Sequence, residues 1–185
     1  NNMILLDGKL VAQSIQQKLQ QETHILKNTA GRTPHLAVIL IGDDPASHTY
    51  VAAKQKACQA IGIQVTLLQH AAIQEAALLQ RIEQLNHNPA IDGLIVQLPL
   101  PPHISVSKVI HCIRPEKDVD GFHALNYGRM ACNLSAYLPA TPLGIMTLLQ
   151  HYQITPHGQH CVIVGRSRTV GAPLSILMSR DTDLG

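Results

Sequence analysis

Two rhythms of apolar residues alternate along the chain. Residues 36–41 (LAVILI) form a short unbroken apolar run, which predicts a strand covered on both faces. Residues 63–68, 93–96 and 161–164 (CVIV) read as three further short strands. Between them the apolar positions fall into helical spacing. Asp7 can cap a helix carrying Leu10, Val11, Ile15, Leu19 and Leu26. Residues 47–62 predict a second helix, with Ser47 as its N-terminal cap and Gly62 just past its end. Helices are also expected over 73–86, from Ser105 or Ser107 to about Ile113, over 143–151 with Pro142 in the first turn, and over 172–178. Residues 114–129 (RPEKDVDGFHALNYGR) and 165–171 read as loops. Strands alternating with helices make the expected fold class α/β, an open parallel sheet with helices on both sides. The loop-like, proline-containing stretch 132–142 is the expected boundary between a domain of residues 1–139 and a second one of 140–185. In the second, the strand–loop–helix of 161–180 is half of a mononucleotide-binding unit, and Gly185 is reached before another parallel strand. That cofactor domain is therefore expected to be only begun, and incomplete, within these residues.

Composition narrows the class. Of 185 residues, 45% are hydrophobic and 14% charged, against about 25% charged in an ordinary domain, which describes a core-rich chain rather than a disordered one. The formal net charge is +2 and the basic residues are scattered, so nucleic acid is not an expected partner. No apolar run approaches the roughly 18 residues of a membrane span, and no membrane association is expected. The opening NNMILLDG lacks a basic segment followed by a long apolar one, so no secretory signal is expected. Cys58, Cys112, Cys132 and Cys161 have no paired spacing, and free buried thiols in a reducing cytoplasm are expected. His157, His160 and Cys161 approach ligand spacing without a second ligand pair, so no metal site is expected.

Chemistry is expected at one end of the sheet, because open α/β sheets bind ligands beyond the carboxyl ends of their strands. Tyr50 and Lys54 stand four residues apart, on one helical face, with Cβ atoms about 5–6 Å apart. A phenol and an amine so placed can hold a flat ring and move a proton. The same pair also occurs as amphipathic side chains that bury their stems and keep their heads in water. An amine acts as a base near neutral pH only where burial or a neighbouring cation disfavours its charge. Gln97 leaves the 93–96 strand, followed by Leu98 and Pro99, and Asp120 lies in the loop after the next helix. Singly, Gln97 and Asp120 also fit a loop hydrogen bond or a cap. The loop VGRSRTVGAP follows one predicted strand and precedes a helix, the setting of a phosphate-binding turn. It lacks the full GxGxxG and also reads as an ordinary turn. The DVDG at 118–121 fails the calcium-loop pattern, because Phe122 and His123 stand where a ligand and a glycine are needed. A short-chain dehydrogenase would also use Tyr-x-x-x-Lys, but its glycine-rich turn precedes that pair instead of following it.

Five segments together carry a resemblance: SHTYVAAK at 47–54, GLIVQLPLP at 93–101, PEKDVDGF at 115–122, PATPLG at 139–144 and VGRSRTVGAP at 164–173. Their order and spacing resemble the bifunctional methylenetetrahydrofolate dehydrogenase/methenyltetrahydrofolate cyclohydrolase family, across essentially the whole chain. The resemblance implies a homodimeric enzyme with a catalytic α/β domain, followed here by the start of a Rossmann-like NADP-binding domain. Lys54 would be the catalytic lysine, Tyr50 the ring against the folate, and Gln97 the residue that orients Lys54. Asp120 would grip the pterin, with Leu98 and Pro99 beside the substrate. Gly165, Arg166, Ser167 and Gly171 would bind NADP. Ala140 stands where the family usually has Cys, and Thr169 where a larger aliphatic residue is usual. The alternative expectation is a folate-binding fragment without dehydrogenase activity, because the cofactor domain is incomplete.

Overall fold

The computed structural model describes Met3 and residues 5–180, which form seven helices and three strands. In chain order these are α1 (Gly8–Ala30), β1 (His35–Ile41), α2 (Pro45–Ala60), β2 (Gln64–His70), α3 (Glu75–His87), β3 (Gly93–Val96), α4 (Val106–Cys112), α5 (Ala124–Ala131), α6 (Ala140–His151) and α7 (Gly171–Met178). They pack as two compact units, one of Gln16–Val119 and one of the described residues within 1–15 and 120–180.

In the first unit β1 is the middle strand of a parallel sheet ordered β2-β1-β3. Its unbroken apolar run has a direct cause: both faces are covered. Ala37, Ile39 and Ile41 join Leu94 and Val96 against Leu78 and Ile82 of α3 and Val109 of α4. Val38, Leu40 and Ile95 pack on the other face with Val51 of α2. Ile39 lies opposite Leu68 and Val96, which sets the register of all three strands. Each such residue, fully buried, contributes about 1.5–3 kcal/mol over an exposed one.

The second unit contains α5, α6 and α7, around the buried Met130, Pro139, Pro142 and Leu177. Asp7 caps α1 as expected, accepting from Lys9 N at 2.9 Å and Leu10 N at 3.2 Å, and its own N–H donates to the Tyr152 hydroxyl at 2.8 Å.

Several expectations are corrected. Asp44, not Ser47, caps α2: its carboxylate accepts from the Ser47 N–H at 2.8 Å and the Ser47 hydroxyl at 2.7 Å. Pro45 then occupies the first helical position, where its missing N–H costs nothing. Residues 124–131 are helical rather than loop, because His123 caps α5 with its ring and Met130 anchors it in the core. Residues 161–164 form no strand, since no neighbouring strand among the described residues supplies a ladder. The cysteines are free but not buried: Cys58 and Cys112 are half-buried, Cys132 and Cys161 exposed. Of the predicted apolar stripe on α1, only Val11 is buried, while Leu10, Ile15, Leu19 and Leu26 stay exposed. No described helix is long and apolar enough to cross a membrane.

Candidate active site

The site at the carboxyl end of the sheet is built by two neighbouring elements. Asp44 and Pro45 start α2 immediately after β1 and its Gly42 turn. The Ser47 hydrogen bonds hold the Asp44 carboxyl below the usual carboxylate range, so the cap is charged at neutral pH and faces the positive end of the helix. Val51 then buries one side of α2 against Val38 and Leu40. That contact fixes the rotation of the helix and leaves Tyr50 64% exposed and Lys54 half-buried. At its far end α2 closes on Gly62, whose φ of +79° is the left-handed conformation expected past a helix terminus.

Gln97 comes from the other element. Its N–H donates to the Ile39 carbonyl at 2.9 Å, continuing the ladder of β3 on β1 for one more residue. Lys54 Nζ donates to Gln97 Oε1 at 3.0 Å, and Gln97 Nε2 donates to the Leu98 carbonyl at 2.8 Å. The second bond commits the amide nitrogen, so the oxygen is the atom turned to the amine. A neutral acceptor at this place can hold the amine in either protonation state. A carboxylate would instead favour the ammonium. The Leu98–Pro99 bond is cis, with Leu98 half-buried and Pro99 exposed. One turn beyond Lys54, burial pushes the Cys58 thiol up, and the Lys54 charge opposes that shift.

Of the residues singled out in the sequence, the structure therefore joins Lys54 to Gln97 and places Tyr50 one turn before Lys54 on α2. Asp120 is half-buried and opens the other compact unit. Gly165, Arg166 and Ser167 are exposed, and Gly171 is buried at the start of α7. A Cβ on Gly171 would lie 2.3 Å from the Gly165 carbonyl oxygen, so only glycine closes this turn. Ser167 Oγ accepts from Val170 N at 3.1 Å and from Gly171 N at 3.4 Å, while the Ser167 carbonyl accepts from Ala172 N at 3.0 Å. Among the described residues no three His, Cys, Asp or Glu side chains converge as metal ligands.

Two residues that the sequence did not single out tie the segment after α4 to the end of α3. Asn86, 2% exposed, donates to the Glu83 carboxylate and the Cys112 carbonyl and accepts from Arg114 N. Lys117 donates to the carbonyls of Leu85 and Asn88. Their partners are mostly backbone groups, so residue spacing carried no signal for either.

Comparison with known proteins gives a consistent result. Residues 6–120 match the model for the tetrahydrofolate dehydrogenase/cyclohydrolase catalytic domain, and residues 139–183 match that for the NAD(P)-binding domain of the same enzymes. The bifunctional protein FolD of Amoebophilus asiaticus is 57% identical over 179 residues, covering 96% of this chain and 60% of the relative. The crystal structure of the bifunctional FolD methylenetetrahydrofolate dehydrogenase/cyclohydrolase from Campylobacter jejuni superposes with a TM-score of 0.93 at 43% identity, over 96% of this chain and 63% of that one. The Trypanosoma brucei methylenetetrahydrofolate dehydrogenase-cyclohydrolase, solved with NADP and an inhibitor, gives 0.92 at 32% identity, over 97% and 62%. The chain spans about 60% of the length of the curated relatives it matches.

Proposed function

The chain belongs to the tetrahydrofolate dehydrogenase/cyclohydrolase family, and from that premise we propose that its protein oxidises 5,10-methylenetetrahydrofolate to the 5,10-methenyl form with NADP and then hydrolyses it to 10-formyltetrahydrofolate. The observation that carries the proposal is the Lys54–Gln97 hydrogen bond at 3.0 Å, with the glutamine held by the Leu98 carbonyl. In the hydrolytic step a water oxygen bonds to the cationic one-carbon bridge and becomes the formyl carbonyl as the bond from that carbon to one ring nitrogen breaks; of the two water protons one passes to the released nitrogen and the other leaves. Lys54, as the neutral amine, takes the proton from the attacking water. Gln97 keeps its lone pair in line by accepting one of its N–H groups. Positioned acid–base groups of this kind contribute about 10²–10⁴-fold.

The remaining roles follow the family motifs. Tyr50, largely exposed on α2, packs against the flat ring, with Leu98 and Pro99 beside it. Asp120 accepts charge-assisted hydrogen bonds from the pterin amino and ring N–H groups. The 165–171 turn suits a nucleotide phosphate: Arg166 is exposed, and Gly171 keeps any side chain off the Gly165 carbonyl. Gly165, Arg166, Ser167 and Gly171 would hold NADP, which when bound supplies the acceptor for the hydride. The ranges of the two family matches support a division into residues 1–139 and 140–185. The family also supports a homodimer, and four free cysteines fit a reducing, cytoplasmic setting.

A second reading, folate binding without dehydrogenase activity by these residues alone, has one observation in its favour: residues 161–164 form no strand beneath the 165–171 turn. Methenyl-folate absorbance, followed with and without NADP, separates the two. Lys54→Met is expected to lower hydrolysis by about 10²-fold or more while folate binding stays within a few-fold. Hydrolysis at the wild-type rate in that variant would remove Lys54 from its role. Gln97→Glu is expected to move the hydrolysis pH–rate profile to higher pH, because a carboxylate favours the ammonium.

A further inference from the structure

The segment from α4 to Val119 is laid down on two templates within the Gln16–Val119 unit. The first is the last turn of α3. Asn86 Nδ2 donates to the Cys112 carbonyl at 2.7 Å, Arg114 N donates to Asn86 Oδ1 at 3.0 Å, and Lys117 Nζ donates to the carbonyls of Leu85 at 2.9 Å and Asn88 at 2.7 Å. The second is β3. Leu94 N donates to the Lys117 carbonyl at 2.8 Å, and Asp118 forms a parallel bridge with Leu94. Lys117 touches both, its carbonyl on β3 and its ammonium at the end of α3.

Terminal carbonyls of a helix have no intrahelical donor and carry the negative end of its dipole. Here the Leu85 and Asn88 carbonyls already accept from Asn88 N and Ile91 N, each at 3.2 Å, and the Lys117 ammonium adds a second, charge-assisted donor to both at the negative end of the helix dipole. Burial, reinforced by the Arg114 charge and opposed by Asp92, holds this amine below the ordinary lysine range. Two residues on, Val119 occupies space that exists only because Gly93 has no side chain: a Cβ there would lie 2.6 Å from Val119 Cγ1. The chain is thus held at Cys112, Arg114, Lys117, Asp118 and Val119, up to the residue before Asp120.

We propose that Lys117 is a positioning residue for folate recognition, its ammonium setting the register in which the chain leaves β3 and so the place from which Asp120 presents its carboxylate. The proposal rests on the reading that Asp120 binds the pterin, and the experiment keeps the two apart. Reduced-folate affinity by equilibrium titration, and hydrolysis KM and kcat, are measured for Lys117→Met, Lys117→Arg, Asp120→Asn and the Lys117→Met/Asp120→Asn double variant. Denaturant midpoints are recorded alongside. Lys117→Met is expected to raise KM and the folate Kd by about tenfold, with kcat within about twofold, since it touches neither Lys54 nor Gln97. Lys117→Arg, which keeps the charge and the donors, is expected to return to within about threefold of wild type. In the Asp120→Asn background the Lys117 change is expected to add less than about twofold, because its effect runs through the same carboxylate. Asn86→Ala serves as a control that loosens the same segment farther from Asp120, and is expected to lower the midpoint while leaving KM within about twofold.

Additive losses in the double variant, or an unchanged KM in Lys117→Met beside a clear loss in Asp120→Asn, overturn the proposal and leave the reading of Asp120 intact. Unchanged folate affinity in Asp120→Asn overturns both. Should Lys117→Met fail to fold, Lys117→Gln, which keeps a neutral donor, replaces it, and a KM equal to wild type there overturns the proposal equally.

Discussion

Residues 36–41 and 161–164 are written in the same apolar alphabet and meet opposite fates. Val38 and Ile39 are 0% exposed inside β1, whereas Val162 and Val164 are 76% and 99% exposed in a segment with no ladder. The difference lies in what stands alongside. β1 pairs with β2 along His35–Ile41 and with β3 over Leu36–Ile39, so its buried backbone groups have ladders on both sides. Residues 161–164 have no such neighbour among the described residues. The turn after them nevertheless closes, and α7 begins on schedule with Ser167 satisfying its first amides. A turn and a helix start are local objects that a few residues specify. A strand exists only in company.

The largest expected effect tests the better-supported member of the pair. Ile39→Ala should cost about 2–5 kcal/mol, as large-to-small changes do in a packed core. The site would feel it, because the carbonyl of residue 39 holds Gln97 beside Lys54. Urea unfolding gives the cost, and hydrolysis in mild denaturant should fail in the variant before it fails in wild type. A midpoint unchanged from wild type would mean that β1 is not the structural centre that its burial implies.

This contrast also accounts for what could be read from the residues alone. β1 was legible because a short apolar run between two turns has few folded forms open to it besides a strand covered on both faces. The Lys54–Gln97 meeting was legible in outline, since a helix opening after one strand and a residue leaving the adjacent strand must share the carboxyl end of a parallel sheet. Asp44 was missed as the cap of α2 because Ser47 offers the same chemistry three residues later; the deciding signal was Pro45, which marks a first helical position. α5 was missed because AlaLeuAsnTyrGlyArgMetAla is only eight residues long with Gly128 inside it, and its burial through Met130 is tertiary. The α1 stripe revealed a helix but not its partner: Leu10, Ile15, Leu19 and Leu26 keep helical spacing and remain exposed. Lys117 was invisible as a device, for its partners are carbonyls that any sequence possesses.

The next effect in size probes the local half of the comparison. Gly171→Ala would bring a Cβ within 2.3 Å of the Gly165 carbonyl, so the turn must open, at about 1–3 kcal/mol of local strain. Amide exchange across 167–174 should quicken while protection in β1 is unaltered. NADP binding should weaken in the same variant. Slow exchange retained through 167–174 would show that the turn does not need its glycine, and would remove the argument that it is specified locally.

A smaller effect comes from the amino end of the sheet, where Asp92 ties Arg32 to the start of β1. Its carboxylate accepts from Arg32 Nη1 and Nη2 at 2.8 and 2.6 Å and from His35 N at 2.8 Å. The Arg32 bonds foremost, and the His35 bond after burial is set against them, hold Asp92 below its ordinary range. A carboxyl depressed in the folded state stabilises above its unfolded pKa of about 3.9, and that stability is lost as pH falls through the folded value. Arg32→Ala should therefore lower the urea midpoint at pH 7 by less than either change above, with the gap to wild type narrowing as pH falls through the depressed range of Asp92. A gap that does not narrow at all as pH is lowered through the acid range would assign the effect to packing instead of to the ion pair.

The smallest expected effect is the one most able to undo the comparison. Val164→Ala removes two methyl groups from a side chain that is 99% exposed. Surface changes away from caps, cores and strained backbone stay within about 0.5 kcal/mol. The expected urea midpoint is therefore that of wild type, and so is the exchange rate of the 161–164 amides, which have no ladder to open. Had this segment found a partner strand in solution, two signs would appear together: a cost of core size on truncation, and protection alternating along the segment as ladder bonds alternate in direction. Either sign alone has another cause, since a valine can be covered without pairing and an amide can be protected by a turn. Both together would make 161–164 a second β1, and the distinction between local and non-local elements would then have to rest on the turn alone.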